Sequence, residues 1–250
     1  GVLIAFAGKG VSEYPVPGNV KEIGEYAFAY FDDLAMVTMP NTVSRIGSRA
    51  FQDCCGLTRI NIPNSIESIE NYTFSGCKGL TALNIPNSVA SIGNYAFSDC
   101  TGLMNLDIPN SVKSIGIGAF DFCTSLKSVI VPNSISSIEY STFRCCTNLK
   151  YITIPSSVTT IYDFAFEYCE NLDSIFVNSE VPPICMPRVF TLNTKDYGTL
   201  CVPKNSVSDY KNASVWKDFK NIIEYEFDGI DKVVVDKDLD NIFVVFDLRG

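Results

Sequence analysis

The sequence predicts a mainly β solenoid of about seven coils, each 23 residues long. Three observations carry that prediction. Prolines recur at one interval, at Pro17, Pro40, Pro63, Pro86, Pro109, Pro132 and Pro155. Phenylalanines from Phe28 to Phe166, leucines from Leu34 to Leu172 and isoleucines from Ile23 to Ile161 keep the same period without a slip. No segment inside a coil is long enough for a helix stable by itself. A fixed period of this length marks a stacked array, in which each unit buries its apolar face only against its neighbours.

The elements of one coil follow in order. In "LTALNIP" the residues Leu80, Leu83 and Ile85 face inward along a short strand, and the residues between them face out. Pro86 stops the strand, because it fixes φ and has no N–H to donate. Asn87 and Ser88 are turn formers. The asparagine column (Asn41, Asn64, Asn87, Asn110, Asn133) is expected to stack as a ladder along the axis. Val89 and Ile92 point inward from a second short extended piece, and Gly93 lets the chain bend. Ala96, Phe97 and Cys100 have helix-like spacing, enough for one 3₁₀ turn. Parallel strands stacked about 4.8 Å apart make seven coils roughly 34 Å long.

The phrase "IPNSVxSIGxYAFxxCxxLxxL" resembles the Treponema-type leucine-rich repeat of BspA-like surface proteins, over residues 16–177. The opening "LIAFAGKGVSEYPVP" is similar to the lead-in that precedes the first full repeat in that family. The segment from "PPICMPRVF" to "KNIIE" is similar to the cap that ends such arrays. The final "FVVFDLRG" is similar to the start of a C-terminal secretion or sorting module of host-associated bacteria. The resemblance implies a right-handed leucine-rich-repeat solenoid with a small α/β C-terminal cap, exported to the cell surface or outside the cell. It implies binding or adhesion and carries over no catalytic residue. The expected divisions are residues 1–177 for the solenoid, with 1–16 as a lead-in strand, 178–225 for the cap, and 226–250 for an acidic tail or the start of a further module. Within the cap, "KNSVSDYKNASVWKDFKNI" reads as two short helices that turn Val207, Tyr210, Trp216 and Phe219 inward over the last coil.

Composition excludes several chemistries. The net charge of −9 argues against nucleic acid and anionic membranes. No stretch is long and apolar enough to span a membrane. The chain has no histidine, so Ser-His-Asp and Cys-His catalysis are excluded. Carboxylates are scattered over coil surfaces, as at Glu67, Asp99 and Asp107, and no pair recurs in a pocket-like setting. Hence no enzyme activity, no cofactor and no metal are expected. Ten cysteines would ordinarily point to disulfides or metal. Six of them, however, occupy one column (Cys54, Cys77, Cys100, Cys123, Cys146, Cys169), where the first coil has Phe31. A slot that accepts Phe or Cys is apolar, so these thiols are expected buried and reduced. Cys55 and Cys145 lie just outside the column and are expected to be more exposed. A bridge between Cys185 and Cys201 stays open. "DKDLDN" at Asp236, Asp238 and Asp240, with Asp247, faintly resembles a calcium loop but lacks its glycine and its glutamate, and reads as a solvated acidic hairpin or linker. The sequons at Asn71 and Asn212 matter only after eukaryotic secretion.

Function is expected on the outward strand face. Its residues change from coil to coil, while the inward columns stay fixed. Ile130, Tyr151 and Phe176 fall on consecutive coils and predict one exposed apolar-aromatic patch, edged by Lys127 and Lys150, the alternative being that the C-terminal cap covers Phe176. The partner expected there is an extracellular protein or a glycan. Protein is favoured, because the face has no tryptophan ladder for stacking sugars. The competing role is a structural spacer that presents another module, with a hydrolase as the outside alternative.

Overall fold

The computed structural model describes residues 1–225 apart from residues 7 and 9. The acidic tail, the calcium-like "DKDLDN" segment with Asp247, and "FVVFDLRG" lie outside the described residues. Among the described residues the strand side of the coil has ten parallel rungs rather than seven. They run as Glu13–Pro15, Met36–Thr38 and Arg59–Ile60, then Ala82–Asn84 and Asn105–Asp107, then Ser128–Ile130, Tyr151–Ile154, Ser174–Val177, Thr199–Pro203 and Asn221–Tyr225. Between Asn105–Asp107 and Ser128–Ile130, as between Arg59–Ile60 and Ala82–Asn84, the rungs are neighbours without a paired ladder. A second side stacks two-residue strands, from Val2–Leu3 to Ile184–Cys185. The extra rungs come from the two ends of the chain. The lead-in pairs Glu13 with Met36, and the presumed cap pairs Ser174 with Thr199 and Thr199 with Asn221.

The third side replaces the expected 3₁₀ turn by three successive reverse turns. Ala96 N–H bonds back to Gly93 O at 3.4 Å, Ser98 N–H to Tyr95 O at 3.2 Å and Cys100 N–H to Phe97 O at 3.2 Å. The alternate amides reach the next coil instead, Tyr95 N–H to Ile117 O and Phe97 N–H to Ala119 O, both at 2.8 Å. Tyr95 in the first turn and Asp99 in the third adopt the left-handed region, at φ 54° and 58°. L-residues adopt that region at some cost. Here the cost is offset because the turns aim every second amide along the axis, where a buried donor must find a partner.

Serine, not asparagine, forms the ladder at the proline turn. Ser88 Oγ donates to Ile66 O at 2.6 Å, Ser111 to Val89 O at 2.8 Å, and Ser157 to Ile135 O at 2.7 Å. The asparagine column supplies one link, Asn133 N–H to Asn110 Oδ1 at 3.2 Å. The serine hydroxyl is short enough to reach across one coil spacing, so the longer amide is left pointing outward.

The core is a stack of parallel phenylalanine rings. Phe28, Phe51, Phe74, Phe97, Phe120, Phe143, Phe166 and Phe190 follow one another at centroid distances of 4.9 to 5.7 Å. Phe6 closes one end at 5.1 Å from Phe28, and Trp216 and Phe219 close the other at 5.6 and 5.2 Å from Phe190. Beside the rings runs the cysteine column. Each thiol donates to the phenylalanine carbonyl of the coil before, as in Cys77 to Phe51 O at 3.1 Å and Cys123 to Phe97 O at 3.2 Å.

All ten cysteines are free. Cys185 and Cys201 are no exception, since they lie on different sides of the coil. Cys145 is buried, at 9% exposure, contrary to the expectation of an accessible thiol; of the two residues outside the column only Cys55 remains partly open. Burial pushes the thiols of Cys54, Cys185 and Cys201 up to about 12. The thiolate is the reactive form, so native protein at pH 8 should label at Cys55 alone, and unfolded protein at all ten. Mass spectrometry after alkylation checks this; rapid native labelling of the column would disprove its burial.

The end of the chain contains the two expected short helices, Val207–Asn212 and Trp216–Asp218, and a further one, Leu192–Tyr197. Tyr210, Trp216 and Phe219 are buried and Val207 packs against the core at its edge. The two largest side chains also tie down the excursion before Ile184–Cys185. Tyr210 Oη donates to Ser179 O and Trp216 Nε1 to Pro183 O, both at 2.8 Å.

Candidate ligand-binding face

Strand alternation sends the third- and fifth-place residues of each rung outward. Arg59, Ala82, Asn105 and Ser128 are exposed at the third place, and Asn61, Asn84, Asp107 and Ile130 at the fifth. Parallel pairing sets Ser128 beside Tyr151 and Ile130 beside Thr153. Ile130 keeps 37% of its surface in water, and Tyr151 is half-buried. Lys127 and Lys150 are exposed on adjacent coils, joined by Lys150 N–H to Lys127 O at 2.9 Å.

Phe176 does not complete the predicted patch. It is 1% exposed, beneath the Tyr225 ring at 5.6 Å in an edge-on contact. Tyr225 reaches it from the last described rung and is held there by a hydrogen bond from its hydroxyl to Asn178 Oδ1. Its own burial raises the Tyr225 hydroxyl above the usual tyrosine range, so it stays a neutral donor. The open part of the patch is therefore Ile130 and Tyr151, with Lys127 and Lys150 at its edge.

Beside this patch lies a groove of about 1150 Å³, between the strand ends and the proline turns. One wall carries Asn84, Asp107 and Ile130; the other carries Asn87, Asn110 and Asn133. Reading the asparagine column as an internal ladder hid this wall. The signal was present in the sequence, since a ladder already supplied by the adjacent serine leaves the amides without an internal task. Asn61, at the fifth place one coil before Asn84 and outside the groove, shows what such an amide can hold. Its Oδ1 accepts from Met39 N–H at 2.7 Å and its Nδ2 donates to Met39 O at 2.8 Å.

The turn side carries a different array, which periodicity alone did not single out. The Arg49 guanidinium sits between the rings of Tyr26 and Tyr72, at 5.5 and 4.7 Å, and Tyr72 stacks on Tyr95 at 5.1 Å. Its ring faces are occupied by one another, so it acts as a surface brace between coils. Among the described residues no three acidic or cysteine side chains come together as a metal-ligand set, and no helix is long and apolar enough to cross a membrane.

Comparison with known proteins agrees with this architecture. The BspA type leucine-rich repeat region, in 6 copies, matches residues 4–105 and 90–186. No curated protein matches this sequence. A leucine-rich repeat protein from Bacteroides ovatus superposes with a TM-score of 0.62 at 26% identity, covering 86% of this chain. This chain spans 63% of the length of that protein. The T. pallidum leucine-rich repeat protein superposes with a TM-score of 0.61 at 29% identity, covering 68% of this chain and 82% of that one. With the family pattern matching well over half its residues and the same parallel coils in both solved structures, the chain belongs to the BspA type leucine-rich repeat family.

Proposed function

We propose that this chain is the binding part of a cell-surface or secreted protein and that it grips an extracellular protein partner, without catalysis. The observation that carries the reading is the contrast between columns. Inward positions repeat Phe, Leu, Ile and Cys almost without change, while outward strand positions differ from coil to coil. A shared scaffold with a customised face is how repeat proteins make specific surfaces. The contact centres on Tyr151 and Ile130. Aromatic anchors dominate interface energies, and Lys127 and Lys150 steer an acidic partner, an effect that salt weakens.

The test is a pull-down of extracellular proteins with this chain as bait, followed by Tyr151→Ala and Ile130→Asp. Each variant should bind the captured partner with an affinity lower by about 2 kcal/mol or more, a loss of roughly 30-fold. Tyr95→Ala, on the turn side, should bind like the parent. The reverse pattern would move the contact to the turn side. Failure to capture any partner would favour a spacer role.

A further inference from the structure

We propose that the groove beside the Tyr151 patch binds an unbranched, uncharged glycan chain, laid along the stacking axis with about one sugar per coil. This goes beyond the protein contact proposed above and does not depend on it.

The first ground is the chemistry of the walls. Asn84, Asn87, Asn110 and Asn133 face the groove, and Asp107 is the one ionisable side chain in its lining. A primary amide offers two donors and an acceptor on one planar group. A sugar hydroxyl both donates and accepts, so each amide meets a matching group without any charge being taken out of water. Within the described residues the side chains of Asn84, Asn87 and Asn133 make no hydrogen bond, and all three are exposed. The Asp107 carboxylate, on a chain of net charge −9, repels anionic polymers from the same groove.

The second ground is the period. The turn wall repeats one amide per coil, about every 4.8 Å. An extended peptide presents equivalent groups to one side only every second residue, about 6.6 Å apart, and falls out of step within a few coils. A pyranose unit in an extended chain is close to one coil spacing in length and carries hydroxyls on both of its edges, so every unit offers a hydroxyl to the turn wall even where successive rings are flipped. The exposed Ile130 side chain gives the C–H face of a sugar ring an apolar seat at the groove wall. Four turn-wall asparagines from Asn64 to Asn133 set the length of the array.

The experiment titrates this chain by calorimetry with neutral β-linked gluco-, manno- and galacto-oligosaccharides of two to eight units, and with polygalacturonate as the charged counterpart. One neutral series should bind, with affinity rising up to about four to six units and then levelling, as the coil spacing requires. The triple variant Asn84→Ala, Asn87→Ala and Asn133→Ala should bind at least about tenfold more weakly and melt like the parent, because none of the three amides is used in the fold. Tyr95→Ala should leave glycan affinity unchanged. The proposal is overturned if no neutral oligosaccharide binds at millimolar concentration, if the triple variant binds like the parent, or if polygalacturonate binds best.

Discussion

Phe97→Ala is expected to lower the stability of the chain by about 3–5 kcal/mol. The ring is 1% exposed and lies 5.4 Å from both Phe74 and Phe120. Its removal opens a void in a row of near-parallel rings that cannot close up, because the hydrogen-bonded ladders on all three sides hold the coil spacing. In a one-dimensional array the loss also weakens two interfaces at once, and near the centre it splits the stack into halves. Thr81→Ala, an exposed change in the same coil, should stay within about 0.5 kcal/mol of the parent. Urea unfolding of both variants is the measurement. Equal midpoints would mean that the ring stack does not hold the coils together.

Arg144→Ala is expected to have the next largest effect, about 2–4 kcal/mol at neutral pH. Arg144 Nε and one terminal nitrogen donate to the two oxygens of Asp121 at 3.0 and 2.8 Å, and the Asp121 side chain is 5% exposed. Without the guanidinium a buried carboxylate stands alone. The lower end of that range reflects Arg144 itself, a third of whose side chain stays in water. The pH dependence has a definite sign. Burial holds the Asp121 carboxyl above the usual carboxylate range even with Arg144 pulling it down. A raised folded-state value stabilises below the unfolded value and loses that contribution as pH rises through the folded one. Removing Arg144 raises it further, so the deficit of the variant should shrink steadily as pH falls from 7 towards 4. A deficit independent of pH would place the damage in packing against Phe122, whose ring lies 5.2 Å from the guanidinium carbon.

The seven central coils were legible because their chemistry is written in columns. Phe97 and Leu80 name their own neighbours, since the same residue stands one coil before and one coil after. The last rungs were not legible for the same reason. Thr199 pairs with Ser174 and then with Asn221, at intervals that break the period, and the turn after the first of these strands is stretched by one residue to Pro203-Lys204-Asn205-Ser206. The cap reads as irregular sequence yet folds as further coils, because an unpaired edge recruits whatever extended segment follows. Phe176 failed as a site residue through this effect: its exposure depended on a rung the period did not predict. The αL turns were missed because tyrosine and aspartate, rather than glycine, close them. Lys127, Ile130 and Tyr151 lie within the regular coils, and there the alternation along a strand sufficed to place them.

The alternate amides of the turn side, together with the strand ladders, have a mechanical consequence. Through the regular coils these bonds join each coil to the next along the axis, and only towards the last described rung does a side chain reach further, from Tyr225 past one rung to Asn178. A load applied between the two ends therefore meets its resistance one interface at a time. Such a chain should yield in steps from an end, each freeing 23 residues and lengthening the tether by about 75 Å. The coils still stacked would keep their rings, ladders and outward faces throughout. Under shear the molecule would lengthen like a row of press-studs opening in turn, holding its grip with whatever coils remained closed.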